Sequence, residues 1–273
     1  MVLLENLPEV IINKIKSYVI FTPNNKELKK AVNLWCEDKR KAYKLFGHIS
    51  HWDTKQVTNM YKLFFSKFNF NSVISSWDVS NVTDMSGMFK GSQSFNQSLN
   101  NWNVSNVTDM SGMFSRAEKF NQPLNNWDVS NVTDMNRMFC HAYSFNQPIN
   151  KWNVSNVKNM EYMFRESHSF NMDINLWDVS YVENMYGMFY DAIKFNKPLN
   201  EWNVSNVQIM NRMFEECYEF NQPLNNWDVK NVISMSRIFY NSEEFCKYQS
   251  IDSWNLTNVS KIDDVYIFKR LFI

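Results

Sequence analysis

Nine tryptophans, Trp52, Trp77, Trp102, Trp127, Trp152, Trp177, Trp202, Trp227 and Trp254, recur at a step of 25 residues, with a single slip to 27 at the end. The phrase around them returns too, as in Phe120-Asn-Gln-Pro-Leu-Asn-Asn-Trp127-Asp-Val-Ser-Asn-Val-Thr-Asp-Met135-Asn-Arg-Met138-Phe139. A fixed period in this range is the signature of a solenoid or propeller. One copy is too short to bury its apolar side chains, so copies must stack and share interfaces.

Within one copy, Leu124, Trp127 and Val129 follow the L-x-x-L-x-L spacing of a leucine-rich-repeat strand. Trp127 and Val129 are two apart and predict inward-facing positions on a short strand. Beyond them Val132, Met135, Met138 and Phe139 adopt helical or 3₁₀ spacing, which predicts a short helical return leg capped by Ser130, Asn131 or Thr133. The expected fold class is therefore a leucine-rich-repeat-like solenoid: one short parallel strand and one short helix or 3₁₀ turn per coil, behind an α-helical N-terminal cap. Fifteen residues after the tryptophan stands a small side chain (Ser92, Ala117, Ala142, Ser167, Ala192, Cys217, Ser242), as a tight corner between coils requires. A Phe-Asn pair follows, and Pro123, Pro148, Pro198 and Pro223 mark where the strand is expected to begin.

Two polar columns accompany the core. The residue after each tryptophan alternates strictly from Asp78: Asn103, Asp128, Asn153, Asp178, Asn203, Asp228, Asn255. On adjacent strands an unbroken aspartate column would place like charges face to face, so interleaved asparagines are expected to separate and bond the carboxylates. A row of calcium sites is the alternative, but it lacks glycine-rich ligand loops. Asn81, Asn106, Asn131, Asn156, Asn206, Asn231 and Asn258 form the second column, expected to tie successive turns together through backbone groups. The N-x-S/T sequons at several of these positions are read as ladder residues rather than glycan acceptors.

Lysine plus arginine equals aspartate plus glutamate at 28 each, so no global field draws in nucleic acid or an anionic membrane. No secretory leader or membrane-spanning stretch is read, and an intracellular, cytoplasmic protein, possibly in a host cytoplasm, is expected. Cys36, Cys140, Cys217 and Cys246 show no C-x-x-C spacing and are expected to be free, mostly buried thiols.

The phrase W-[DN]-V-S-N-V-T-D-M-S-G-M-F at Trp77–Phe89 and Trp102–Phe114 resembles the BspA-like leucine-rich-repeat surface-protein family, whose repeat also occurs in mycoplasma lipoproteins. The resemblance spans about residues 48–266 and implies a binding solenoid without catalytic residues. Glu27–Cys36 and Phe46–Thr54 resemble the helical lead-in of protist and giant-virus members, with Leu28, Val32, Trp35, Ala42 and Leu45 at helical spacing to cover the first coil. Leu4 to Val19 resembles the opening helix of an F-box, which implies a substrate adaptor binding a Skp1-type protein. The expected organisation is a cap over 1–47 (F-box-like at 4–19), repeats over 48–266 and a tail over 267–273.

Catalysis is not expected. His48, His51, His141 and His168 are scattered, no phosphate-cradling loop is present, and carboxylates repeat along the rod where an active site needs one asymmetric place. No cofactor or metal site is expected. Recognition should use positions that vary on the constant scaffold. One set precedes the tryptophan, His51, Asn101, Asn126, Lys151, Leu176, Glu201 and Asn226, as a stripe on the sheet face. A second follows the Met-Phe pair: Arg116, His141, Tyr143, Arg165, His168, Tyr190 and Tyr218. Tyrosine and arginine enrichment suits a protein-binding patch. The reading is a non-enzymatic interaction scaffold for a protein partner of unknown identity; a ubiquitin-ligase adaptor and a cell-surface adhesin are the alternatives.

Overall fold

The computed structural model describes residues 20–261. The F-box-like segment 4–19 and the tail 267–273 lie outside the described residues. The chain opens with helix α1 (Asn25–Glu37) and helix α2 (Lys39–Phe46), followed by a 3₁₀ turn at Ile49–His51. Asn24 caps α1 by accepting from the backbone of Lys26 and Glu27, and Glu27 reaches back to the Asn24 backbone, a reciprocal capping box. Leu28, Val32, Trp35 and Ala42 are buried as their spacing predicts, whereas Leu45 is turned to solvent and its neighbour Phe46 packs inward. The rings of Phe21, Trp35 and Phe46 meet the first repeat tryptophan, Trp52, at 5.4, 5.9 and 6.1 Å. Asn25 supplies what a preceding coil would: its Oδ1 accepts from the Thr58 amide and its Nδ2 donates to Thr58 Oγ1.

From there the chain winds as a repeat solenoid. Among the described residues strand structure is confined to single-residue parallel bridges, Asn59 to Asp84, Asp84 to Asp109, and onward every 25 residues to Ser234, which meets Lys261. The expected strand at Trp127–Val129 and the expected helical leg are both replaced. In the coil of Trp127, residues 136–141 form a run of turns, so Ser130, Asn131 and Thr133 cap no helix and Pro123 precedes no strand. The physical reason lies in where the backbone donors go. Near the tryptophan they close locally: Trp127 N–H donates to Leu124 O at 3.1 Å and Val132 N–H to Val129 O at 2.9 Å. Coil-to-coil bonds sit on the turn leg instead, where Met135, Arg137, Phe139 and His141 donate to Asn159, Glu161, Met163 and Arg165 of the next coil. The amides between them, Met138, Cys140 and Ala142, turn back three residues.

Such linked turns need a left-handed backbone at their third residue. Each coil from that of Trp52 to that of Trp227 supplies two of these positions, as with Arg137 (φ 54°) and His141 (φ 57°), or Gly87 (φ 61°) and Gly91 (φ 77°). Glycine holds only a few of them, and among the described residues twelve non-glycine ones have positive φ.

The core is a set of stacked columns. All nine tryptophans are at most 6 % exposed, and Trp127, Trp152 and Trp177 stack at 6.4 Å with planes 3° and 4° apart. Phe139 lies 5.7 Å from Phe114 and from Phe164, and 4.0 Å from Phe145 of a second phenylalanine column. Each indole from Trp77 onward donates to a carbonyl of the preceding coil, as Trp152 does to Leu124 O at 3.0 Å. Trp52, which has no preceding coil, keeps its buried Nε1 without a partner among the described residues.

Side chains tie the turns as well. The asparagine column behaves as expected: Asn106, Asn131 and Asn156 donate to Ser80, Ser105 and Ser130 carbonyls at 2.7 Å, and Tyr181 interrupts it. An additional ladder uses the Phe-Asn asparagines, since Asn121 Oδ1 accepts from the Asn146 amide and from Gln147 Nε2. The small corner residues are fully buried, and where they carry a donor they use it: Ser92, Ser167 and Cys217 bond Phe64, Phe139 and Phe189 carbonyls.

The Asp/Asn column does something other than expected. Each member caps its own turn: Asp78, Asn103 and Asp128 accept from the amides of Ser80, Ser105 and Ser130 at 3.0, 3.2 and 3.0 Å. Since aspartate and asparagine oxygens serve this turn equally well, the alternation is not required by bonding between neighbours.

The closing coil absorbs its two extra residues. Helix α3 (Glu243–Tyr248) stands where other coils carry a turn, and Trp254 still stacks on Trp227 at 5.9 Å. Among the described residues no helix is long and apolar enough to cross a membrane.

Candidate functional site

The residues preceding the tryptophans do form an exposed stripe: His51, Asn101, Asn126, Lys151, Leu176, Glu201 and Asn226 all face solvent, Leu176 at 85 %. They occupy a turn corner, not the face of a sheet. Their backbone is tied down, with Asn126 and Glu201 amides donating to Asn100 and Asn175 of the preceding coil.

The second set lies along the turn leg, and there the left-handed positions shape the surface. Arg116, His141, Glu166, Asp191 and Glu216 occupy equivalent places in five consecutive coils, all with positive φ. Side chains around them make a continuous ladder. Arg137 and Arg165 flank the Tyr162 ring at 5.2 and 5.1 Å, Arg165 also lies 5.0 Å from Tyr190, and Arg137 pairs with Glu161 at 2.5 Å. Exposed Arg116 and Tyr218 stand towards the two ends. The edge is polarised along the rod. Lys62, Lys67, Lys90 and Arg116 belong to the coils of Trp52, Trp77 and Trp102, whereas Glu216, Glu219, Glu243 and Glu244 belong to those of Trp202 and Trp227. At the basic end a shallow groove of about 220 Å³ runs between Lys62, Lys90 and Arg137 over the bare backbone of Gly87 and Gly112.

The histidines are not scattered in space. His141 and His168 come from neighbouring coils: His141 Nδ1 lies 2.7 Å from Glu166 Oε2, and His168 Nε2 lies 3.3 Å from Asp191 Oδ2. Tyr143 stacks on His168 at 5.0 Å. Burial holds the His141 imidazole below its ordinary titration range, against the opposing pull of Glu166. Burial also raises Asp191, with His168 opposing and Glu216 and Glu166 reinforcing. The signal available in the sequence was phase: 141, 166 and 191 differ by one period, and 168 stands two residues beyond 166.

On the same leg the Glu215 side chain is 2 % exposed, clamped by Arg237 at 2.9 Å and Arg212 at 3.6 Å. Of the thiols, Cys140 and Cys217 are buried and Cys36 is exposed, a departure from the mostly buried expectation only at the cap. Burial pushes the Cys140 thiol up to about 11, which leaves it an unreactive neutral thiol at pH 7.

The turn-capping carboxylates give a pH signature. Asp78 is held below the usual carboxylate range first by the Ser80 hydroxyl and then by the Ser80 amide. A depressed folded value means the unfolded chain binds protons more readily, so this stabilisation is present above the unfolded aspartate range and lost as pH falls through the folded value. Ser80→Ala is expected to move the Asp78 titration upward in an NMR pH series and to leave Asn103, its uncharged counterpart, unaffected. An unchanged Asp78 midpoint would contradict the assignment.

Comparison with known proteins agrees with the repeat architecture. The family model described as Mycoplasma protein of unknown function, DUF285, matches residues 36–142, 122–217 and 173–271. The chain belongs to this family. Its overlapping matches cover the α2 end of the cap and every tryptophan coil, in keeping with one repeated unit. No curated protein matches the chain. Among solved structures it is similar to a chain of the crystal structure of a TLR13–ssRNA13 complex, at 13 % identity and a TM-score of 0.26, over 74 % of this chain and 29 % of that one. This chain thus spans less than a third of that chain's length.

Proposed function

We propose that this DUF285 protein is a non-enzymatic scaffold that binds a protein partner along its turn edge. The observation that carries the reading is the occupancy of the left-handed positions. A non-glycine residue there costs roughly 1–2 kcal/mol in backbone strain, yet Arg116, His141, Glu166, Asp191 and Glu216 stand in a row with positive φ where Gly91 serves the same turn without a side chain. The core columns hardly vary while this edge changes in charge and shape from coil to coil. A constant scaffold carrying strained, partly desolvated arginine, tyrosine and histidine side chains has the chemistry of recognition. Its polarity, basic towards the N-terminal coils and acidic towards the C-terminal ones, suits a partner of opposed polarity and gives the pairing a direction.

The test is affinity capture with the full chain, comparing it with a variant carrying Arg116→Ser, Tyr190→Ser and Tyr218→Ser. The reading expects the captured proteins to be lost with the edge variant and retained with a stripe variant, Lys151→Ser with Leu176→Ser, at matched melting temperature. A captured set indifferent to the edge substitutions would overturn it.

A further inference from the structure

We propose that Glu166, His168 and Asp191 form a binding site for one divalent transition-metal ion of the zinc class on the turn edge. The inference is independent of the partner-binding reading. One ligand atom each from Glu166, His168 and Asp191 lies within 4.8 Å of the others. A tetrahedral ion with ligands at about 2.0–2.1 Å requires its ligand atoms about 3.3 Å apart. His168 Nε2 and Asp191 Oδ2 already stand at 3.3 Å. The Glu166 carboxylate, within 4.8 Å of both, supplies the third ligand oxygen. His141 Nδ1, 2.7 Å from Glu166 Oε2, holds the Glu166 carboxylate from the preceding coil, and a water completes a tetrahedral sphere.

The surroundings orient the ligands as metal sites require. Arg165 donates through Nε and Nη2 to Glu166 Oε1 at 3.2 and 3.0 Å, which leaves Oε2 to His141. Tyr143 stacks on the His168 ring and fixes its plane. The donor set decides the metal class. An imidazole with two carboxylates suits zinc and its transition-metal neighbours, whereas calcium and magnesium take oxygen ligands throughout. The bland alternative is two histidine–carboxylate ion pairs with no ion between them, and it predicts no saturable binding.

The metal-stripped full chain is titrated with Zn²⁺ by calorimetry and with Co²⁺ by visible absorption. One ion per chain is expected, with Co²⁺ giving the strong bands of a tetrahedral site. His168→Ala and Asp191→Asn should each weaken Zn²⁺ affinity at least about tenfold, and asparagine tolerates the left-handed backbone at 191. Should His168→Ala fail to fold, Asp191→Asn alone carries the comparison. The His48→Ala and His51→Ala double variant, which removes the other neighbouring imidazole pair at 5.9 Å, should bind as the parent does. Absence of saturable binding, binding that survives both site substitutions, or loss of binding in the His48/His51 variant would each overturn the proposal.

Discussion

Trp152→Ala is expected to destabilise the protein by about 3–5 kcal/mol, the range for removing a buried aromatic ring. Trp152 is 3 % exposed, stacks on Trp127 and Trp177 at 6.4 Å, and donates to Leu124 O at 3.0 Å. The substitution removes packing from two coil interfaces at once and leaves a buried carbonyl without its donor. In a solenoid, stability is a sum of coil terms and nearest-neighbour interface terms. Trp254→Ala, at the closing coil, disturbs one tryptophan interface only, that with Trp227, and should cost distinctly less. Urea unfolding of the two variants checks this, and the interior variant should also broaden or split the transition as the halves uncouple. Equal costs at Trp152 and Trp254, or a cost below about 1 kcal/mol at Trp152, would contradict interface-dominated stability.

The second large effect concerns the buried carboxylate. Arg237→Ala removes the 2.9 Å bond to Glu215, whose side chain is 2 % exposed, and leaves the 3.6 Å contact to Arg212 in place. Breaking a buried pair from one side costs about 3–5 kcal/mol. Because Arg212 remains and Arg237 is 36 % exposed, about 2–3 kcal/mol is the appropriate expectation. The direction of the coupling is the sharper test. Removing Glu215 as well relieves the uncompensated charge, so the Arg237→Ala, Glu215→Ala double variant should be more stable than the sum of the two single changes implies. Strict additivity in guanidinium or urea unfolding would show that the two groups do not interact.

Much of this architecture was legible from the period alone. A step of 25 residues places 127, 152 and 177 over one another before any backbone is drawn, so the tryptophan and phenylalanine columns, the small corner at Ala142 and Ser167, and the Asn106–Asn131–Asn156 ladder could all be named from the sequence. Equal spacing also predicted the exposed stripe through Lys151 and Leu176. What misled was local periodicity. Trp127 and Val129 alternate as a strand would, and Val132, Met135, Met138 and Phe139 are spaced as a helix would be. Yet inward-facing side chains at those intervals are equally satisfied by extended chain and by linked turns.

The sequence by itself therefore determined which residues are stacked neighbours and which are core, since a repeat translates sequence distance directly into space. Only the tertiary structure decided where the backbone donors close, that two positions per coil are left-handed, and that Asp78 and its column cap turns rather than bond one another. It also decided that Glu166, His168 and Asp191 converge. Their meeting depends on the direction in which positive-φ residues project side chains from a tight turn, and that direction is set by the bonds to the coils on either side, which no single repeat encodes.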